Sequence, residues 1–414
     1  VLVYLRKADF GSSLVAGIVI ALIAMILDRI TSGLASKSGT YKPKEKSFFK
    51  RNRYLFVAVF GSLFLLMLSN ILPFLNQWPE EFAMSPGKTI SEGLDYFIIN
   101  FGDQVDYIKQ LAFFYLMLPS KIGLQYSVSP YTWGFELTPL LTYSYFSLMI
   151  IISVWSFFRL GESFSIGIVL FTIFFYFGLT NMPWFALILI YGLIGYKLGG
   201  LKLSIGTILG LSFLVLNGVM PQALISIYLC GIAVLISFLI GTSLGIWAAH
   251  NDRVSSFMRP INDTMQTMPS FVILIPFVMI FKIGEFTALL AIIAYAFVPA
   301  MRYAEHGLRN LPYNVIEAAR MIGCSNSQLL WRVKIPLALP VIMLGLNQTI
   351  MFGLAMLVIA ALVGTTGLGQ LIYIGLSKAN FGLGMIAGVG IAIIAITADR
   401  MTQAWSRKLE KSVR

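Results

Sequence analysis

Residues 313–340 read YNVIEAARMIGCSNSQLLWRVKIPLALP, the longest polar interruption in a C-terminal half that is otherwise almost continuously apolar. From 313 to 322 the apolar residues Val315, Ala318, Ala319 and Ile322 recur at i, i+3, i+4 and i+7, the spacing of one helix face. Gly323 breaks that helix, because glycine enters the left-handed backbone of a helix end without a Cβ penalty. Ser325 or Asn326 can cap a second helix over 328–333. Pro336 and Pro340 are expected to stop it and turn the chain back. The expected product is a short helix–turn–helix standing outside a membrane, between two spans.

That a membrane is involved follows from composition. Of 414 residues, 58% are hydrophobic and only 12% charged, against about 25% charged in soluble domains. Apolar runs near 11–27, 54–75, 138–158, 164–180, 183–198, 202–217, 224–247, 268–284, 286–304, 341–363 and 383–398 predict about eleven transmembrane helices and an all-α, polytopic membrane protein. The net charge of +12 reads as basic cytoplasmic loops rather than as a nucleic-acid surface. Eight Lys and Arg lie between 28 and 53, and five more follow Asp399, so both segments are expected inside the cell. Residues 76–137 carry seven acids and three lysines and are expected outside. Eleven spans then place the 305–340 loop and the C-terminus on the cytoplasmic face. The apolar run 111–119 must for this be too short to cross, and lie in the interface.

Enzymatic chemistry has no constellation here. There is no H-E-x-x-H sequence, no Ser/His/Asp set and no pair of carboxylates. Cys230 and Cys324 have no metal-ligand spacing, and His250 and His306 stand at span ends. No G-x-x-x-x-G-K-S/T sequence occurs, and G-T-T-G-L-G at 364–369 lacks the strand and lysine of a phosphate cradle, so it reads as a turn at the outer surface.

The order Glu317-Ala318-Ala319, then Gly323, then Val333, Ile335 and Pro336 resembles the "EAA" loop of ATP-binding cassette (ABC) importer permeases. In that family it is the coupling helix that plugs into a groove on the ATP-hydrolysing subunit. The phrases RPINDTMQTMPSFVILIP (259–276), EAARMIG (317–323), LALPVIMLGLNQTIMFGLAMLVIAALVG (337–364) and TGLGQ (366–370) resemble the glycine betaine/proline/choline uptake branch. The resemblance covers about 190 residues. It implies a type I importer permease core in a bacterial inner membrane, two ATPase subunits, a periplasmic or lipid-anchored substrate-binding protein and a second permease domain. Coupling falls to Glu317, Ala318, Ala319, Gly323, Val333, Ile335 and Pro336. ATP would be bound by the partner, with no cofactor in this chain and no nucleic acid. Residues 76–137 and the span near 138–158 look unlike the usual family members. Other small solutes such as amino acids stay open as cargo. An ion-coupled secondary transporter is the reading of a different class, but the spans hold almost no Asp, Glu or His to carry protons.

Residues 5–31 align without gaps to 376–402, with 14 of 27 positions identical, including Phe10/Phe381, Gly11/Gly382, Gly17/Gly388, Asp28/Asp399 and Arg29/Arg400. This predicts that 1–35 is the last helix of an earlier permease copy, 36–53 a basic linker, 54–218 an accessory membrane region and 219–414 the permease core. The chain would then be the C-terminal part of a tandem fusion. Within the core, Asn347, Gln348 and Thr349 sit at membrane depth, where polar groups mark either a translocation path or hydrogen bonds between helices. Gln266 and Thr267, just before Pro269, are candidates for the inner mouth of that path. Gly384, Gly388 and Ala392 recur every fourth residue and suit close helix packing, as do Ser13 and Gly17.

Overall fold

A computed structural model describes residues 10–38, 53–72 and 86–413, and all its elements are helical. Most of the basic linker (39–52), the start of the repeat (5–9) and 73–85 of the outer segment lie outside the described residues. The chain forms two compact units, Val1–Asp95 and Tyr96–Arg414. In the first, α1 (Phe10–Ser38) buries Ser13, Gly17 and Ala21 at four-residue spacing, and α2 (Arg53–Ile71) exposes apolar side chains along its length. Gly11 of α1 meets Gly87 so closely that a Cβ on either would strike the other strand of backbone or Ser12. A 27-residue helix, α3 (Pro86–Ala112), runs across the boundary between the units.

The second unit continues through a π turn, Phe113–Met117, into α4 (Leu118–Ile122) and α5 (Leu124–Ser127). The run 111–119 belongs to this helical stretch. It is the end of a long helix, with Met117 and Pro119 buried against protein. Two hairpins follow, α6 (Pro139–Leu160) with α7 (Glu162–Phe177) and α8 (Trp184–Gly199) with α9 (Leu201–Leu216). Then come α10 (Met220–His250), α11 (Asp252–Thr267), α12 (Ser270–Phe281) and α13 (Glu285–Arg309). The last elements are α14 (Tyr313–Met321), α15 (Asn326–Gln328), α16 (Ile335–Ala360), α17 (Leu368–Ser377) and α18 (Phe381–Val413).

The core is the packing of α10, α13, α16 and α18. Close approach is built from glycines. A Cβ on Gly241 would lie 2.5 Å from the Phe297 carbonyl oxygen and 2.7 Å from Ala300 Cβ; one on Gly245 would lie 2.7 Å from Ala304 Cβ. Gly345 faces Tyr303 in the same manner across α16 and α13. In lipid there is no hydrophobic gain from bringing helices together, so small residues that let backbones touch supply the van der Waals contact instead.

Six helices among the described residues are long and apolar enough to cross a bilayer, and a bent pair could make a seventh. The difference from eleven has a geometric cause. Runs 164–180, 183–198 and 202–217 form helices of 16 residues, about 24 Å at 1.5 Å per residue, against a hydrocarbon core of about 30 Å. The 268–284 run is shorter still. Only Ser270–Phe281 is helical, and it leaves α11 at an angle of 103°.

The prolines at 336 and 340 do not stop a helix either. From Asn326 the chain passes through a π segment, Leu329–Lys334, directly into α16, and 326–363 is one 38-residue apolar element. The Ile335 N–H donates to Leu330 O, five residues back. The wider turn just ahead of Pro336 makes room for the ring and leaves no i−4 bond for its missing N–H to break. The 364–369 turn packs on α10: Thr365 and Leu368 are buried, and the Leu368 N–H donates to Ser226 Oγ at 2.8 Å.

Candidate functional site

One end of the four-helix core carries the loop 310–334. The platform beneath it is ionic. Arg309, closing α13, donates to the Ala248 carbonyl at 2.7 Å and pairs with Asp252 at 2.8 Å and Glu305 at 3.0 Å. Ser255 Oγ donates to Glu305 at 2.6 Å. These bonds tie the ends of α10, α11 and α13 together. Asn251 caps α11 by accepting from the N–H groups of Arg253 and Val254, so the chain turns sharply after α10.

On this platform α14 stands as a nine-residue helix. Gly323 follows at φ +87°, the left-handed turn expected of it, and its N–H donates to Arg320 O at 2.9 Å. Ser325, not Asn326, is the cap of the next helix. It forms a reciprocal capping box with Gln328, whose side chain accepts from the Ser325 N–H. Lys334 lies 3.0 Å from His250 Nε2, which ties the second limb back to α10.

The face expected to be apolar is apolar, and it is largely exposed, as a docking face must be. Of Val315, Ala318, Ala319 and Ile322, only Ala319 is buried. Met321 and Ile322 are 82% and 84% exposed, and Trp331 is 65% exposed. Glu317 is exposed and forms no ion pair among the described residues. Val333, Ile335 and Pro336 are half-buried, and Ile335 packs on the cluster of Ala304, Leu308, Ala338 and Ile342. The seven residues thus separate into a projecting elbow, Glu317 to Gly323, and a root, Val333 to Pro336. An elbow of this kind has no catalytic group. What it can do is enter a groove on another molecule.

The polar residues at depth also separate. Asn347 is 6% exposed; its side-chain amide donates to Asp399 Oδ1 at 2.8 Å, and Thr402 Oγ1 donates to its oxygen. Gln403 donates to the same Asp399 oxygen at 2.8 Å. Thr349 is buried and donates to Gly345 O within its own helix. Gln348 is half-buried. Gln266 is exposed at the end of α11, and Thr267 donates back to Asp263 O and Thr264 O. Asp399 and Thr402 belong to the D-R-x-T close of the repeat, and here they hold the neighbouring helix. Asn347→Ala is expected to lower stability by about 0.6–2 kcal/mol, the range for a hydrogen bond between membrane helices. Asn347→Asp, which sets a second carboxyl against Asp399, is expected to cost more. Thermal unfolding of the purified protein in detergent measures both.

Gly384 lies at a helix crossing, where Gly375 of α17 would meet its backbone at 2.6 Å through a Cβ, whereas Gly388 faces open space. The glycines of the main core crossing, Gly241 and Gly245, were not among the sequence candidates, although their four-residue spacing is the signal that finds them. A second group without a sequence signal ties residues of 96–127 to the core. Lys121 pairs with Glu285 at 2.6 Å and lies 5.6 Å from the centre of the Tyr228 ring, and Tyr228 donates to the same carboxylate. Lys109 donates to the Phe281 carbonyl at 3.3 Å. Lys109 and Lys121 thus tie their part of the chain to the end of α12 and to the end of α13 opposite the loop.

Residues 241–414 match the family model described as "binding-protein-dependent transport system inner membrane component". The chain is 39% identical over 229 residues to the glycine betaine/proline betaine transport system permease protein ProW of Escherichia coli (strain K12), covering 55% of this chain and 65% of that one. It is 36% identical over 226 residues to the glycine betaine transport system permease protein OpuAB of Bacillus subtilis (strain 168), covering 55% of this chain and 80% of the relative. A longer relative, the trimethylamine N-oxide transport system permease protein TmoV of Ruegeria pomeroyi, aligns over 96% of this chain at 25% identity, and the chain spans 52% of its length. The chain thus spans just under two thirds of the Escherichia coli relative and about half of the Ruegeria one.

Proposed function

The chain belongs to the family of binding-protein-dependent transport inner-membrane components, and from that premise we propose that it is the permease subunit of an ABC importer for a betaine-like compatible solute. The observation that carries the mechanism is the elbow. Met321 and Ile322 are large apolar side chains held in water beside a left-handed glycine at one end of the spanning core. Such exposure is costly unless a partner covers it. The partner is a separate ATPase subunit, reached through 313–336 from the cytoplasmic face, and its nucleotide-driven movement is transmitted through Val333, Ile335 and Pro336 into α16. Because 329–334 runs into α16 without a break, displacement of the elbow is passed to a spanning helix as a rigid lever.

On this reading a binding protein outside delivers the solute. The repeat of 5–31 in 376–402 supports a second permease copy in the same polypeptide as the other half of the pore. Gln266 and Thr267, at the 103° bend, and Gln348 are assigned to the translocation path, while Asn347 and Thr349 serve packing. Gly388, with space beside it, is assigned to the surface that meets the second copy. The betaine class is supported by the relatives' names, and an amino-acid permease is the alternative within transport.

The test is reconstitution of the purified chain in vesicles with its ATPase and binding protein, with radiolabelled glycine betaine, choline, proline, carnitine and an amino-acid mixture in turn. ATP-dependent accumulation of a quaternary ammonium solute is expected. Accumulation of amino acids alone removes the betaine assignment. Uptake driven by an ion gradient without ATP removes the importer assignment altogether.

A further inference from the structure

A groove of about 1420 Å³ opens between the α8–α9 turn and the C-terminal third of α18. Its rim holds five cations, Lys197, Lys202, Arg400, Arg407 and Lys408, and a single acid, Glu410. Glu162 pairs with Lys197 at 3.1 Å, and Asp399 approaches Arg400 at 3.9 Å. Even with those two carboxylates counted, positive charge is in excess by two. Lys202, Arg400, Arg407 and Lys408 are all exposed. The floor is apolar, with Leu203 and Ile396 among its residues.

Position decides what such a groove would hold. At 33 residues α18 is about 50 Å long, roughly 20 Å more than the hydrocarbon core. Its apolar first part fills the bilayer, and the stretch from Arg400 onward emerges from it. The α8–α9 turn sits at the same level, since Gly210 meets Ile393 and Lys408 donates to the Lys197 carbonyl. Tyr196, which lines the groove, is exposed, as amphipathic rings are at headgroup depth. Cations therefore ring the headgroup level while the floor continues down into the lipid-facing surface. A soluble anion would use the first feature and leave the second uncovered.

We propose that this groove binds an anionic phospholipid, with the phosphate among Lys202, Arg400, Arg407 and Lys408 and an acyl chain along Leu203 and Ile396. The assignment does not depend on the transported solute, only on α18 spanning the membrane. A basic cluster between membrane helices attracts an anionic headgroup through charge that water at the interface only partly screens.

The test uses the whole chain, reconstituted in vesicles of phosphatidylcholine with phosphatidylglycerol, extracted in mild detergent and weighed intact by native mass spectrometry. Wild type is expected to retain phosphatidylglycerol over phosphatidylcholine. Lys202→Gln combined with Arg400→Gln and Arg407→Gln is expected to lower that preference about tenfold or more. A variant with Arg253→Gln, Lys282→Gln and Lys378→Gln, which removes equal charge elsewhere, is expected to keep it. Arg400→Lys with Arg407→Lys keeps the charge and is expected to keep the lipid. Equal retention of the two lipids by wild type, or equal losses in the two triple variants, overturns the proposal. Displacement of phosphatidylglycerol by millimolar inorganic phosphate assigns the groove to a free anion and overturns it as well.

Discussion

Replacing Gly323 with tryptophan is expected to abolish ATP-driven uptake and stimulation of the partner ATPase, while the protein still inserts and remains folded. Two facts separate docking from folding here. The residue sits at φ +87°, so any side chain other than glycine or asparagine meets backbone strain of about 1–2 kcal/mol. Yet nothing lies within 4 Å of where its Cβ would be, so a bulky group projects into solvent without disturbing the core. The indole then stands beside Met321 and Ile322, in the space a partner's groove must occupy. Keeping one such side chain from burial costs about 1.5–3 kcal/mol, about 10- to 150-fold in affinity. Gly323→Asn, which tolerates the left-handed turn and adds little bulk, is expected to retain most activity. Gly323→Ala tests backbone strain alone and should fall between them. Wild-type uptake and wild-type ATPase stimulation in the tryptophan variant would show that the elbow is not the coupling surface.

The second large effect is expected at the α10–α13 crossing. Gly245→Leu should prevent recovery of a monodisperse protein in detergent, and Gly241→Leu should weaken it severely. The atoms in the way are backbone carbonyls and alanine Cβ groups, which have no rotamer to move into. Relief requires the two helices to separate along their length, and overpacking a core costs about 1–3 kcal/mol even where side chains can yield. That is a large share of a typical folding free energy of about 5–15 kcal/mol. Gly231→Leu on the same helix is the control. Nothing lies within 4 Å of its Cβ position, and the helix there faces outward. Size-exclusion profiles and thermal unfolding of the three variants compare them directly. Equal behaviour of Gly231→Leu and Gly245→Leu would mean that leucine in α10 is harmful for a reason other than the crossing.

Both predictions rest on glycines, but they were visible to different degrees. Gly323 follows a helical repeat and precedes a capping serine, so its role could be read from neighbours within six residues. Gly241 is one glycine among 36, and the residues it must approach lie more than 50 positions away, in α13. The same holds for Asn347. Its polarity at membrane depth marked it, but its partners, Asp399 and Thr402, lie on α18, more than 50 positions away. The apolar face of α14 was legible from its spacing, and its exposure was expected of a loop that docks on a partner; Val315, Ala318 and Ile322 are exposed, and Ala319 is buried.

What the chain's own sequence determined is therefore what local chemistry controls. Composition made it a membrane protein, apolar runs placed its spanning core helices, and Gly323 with Ser325 set the bend between α14 and the long helical element that follows. Tertiary structure decided the rest. A π turn ahead of Pro336 turned an expected stop into a continuous helix, because a wider backbone turn removes the clash that normally ends a helix at proline. Three runs that looked like spans form helices of 16 residues, shorter than the hydrocarbon core, and a fourth forms a 12-residue helix bent away from its neighbour. Which polar group faces which, and which glycine is a contact and which an open surface, depends on partners far along the chain that no local pattern specifies.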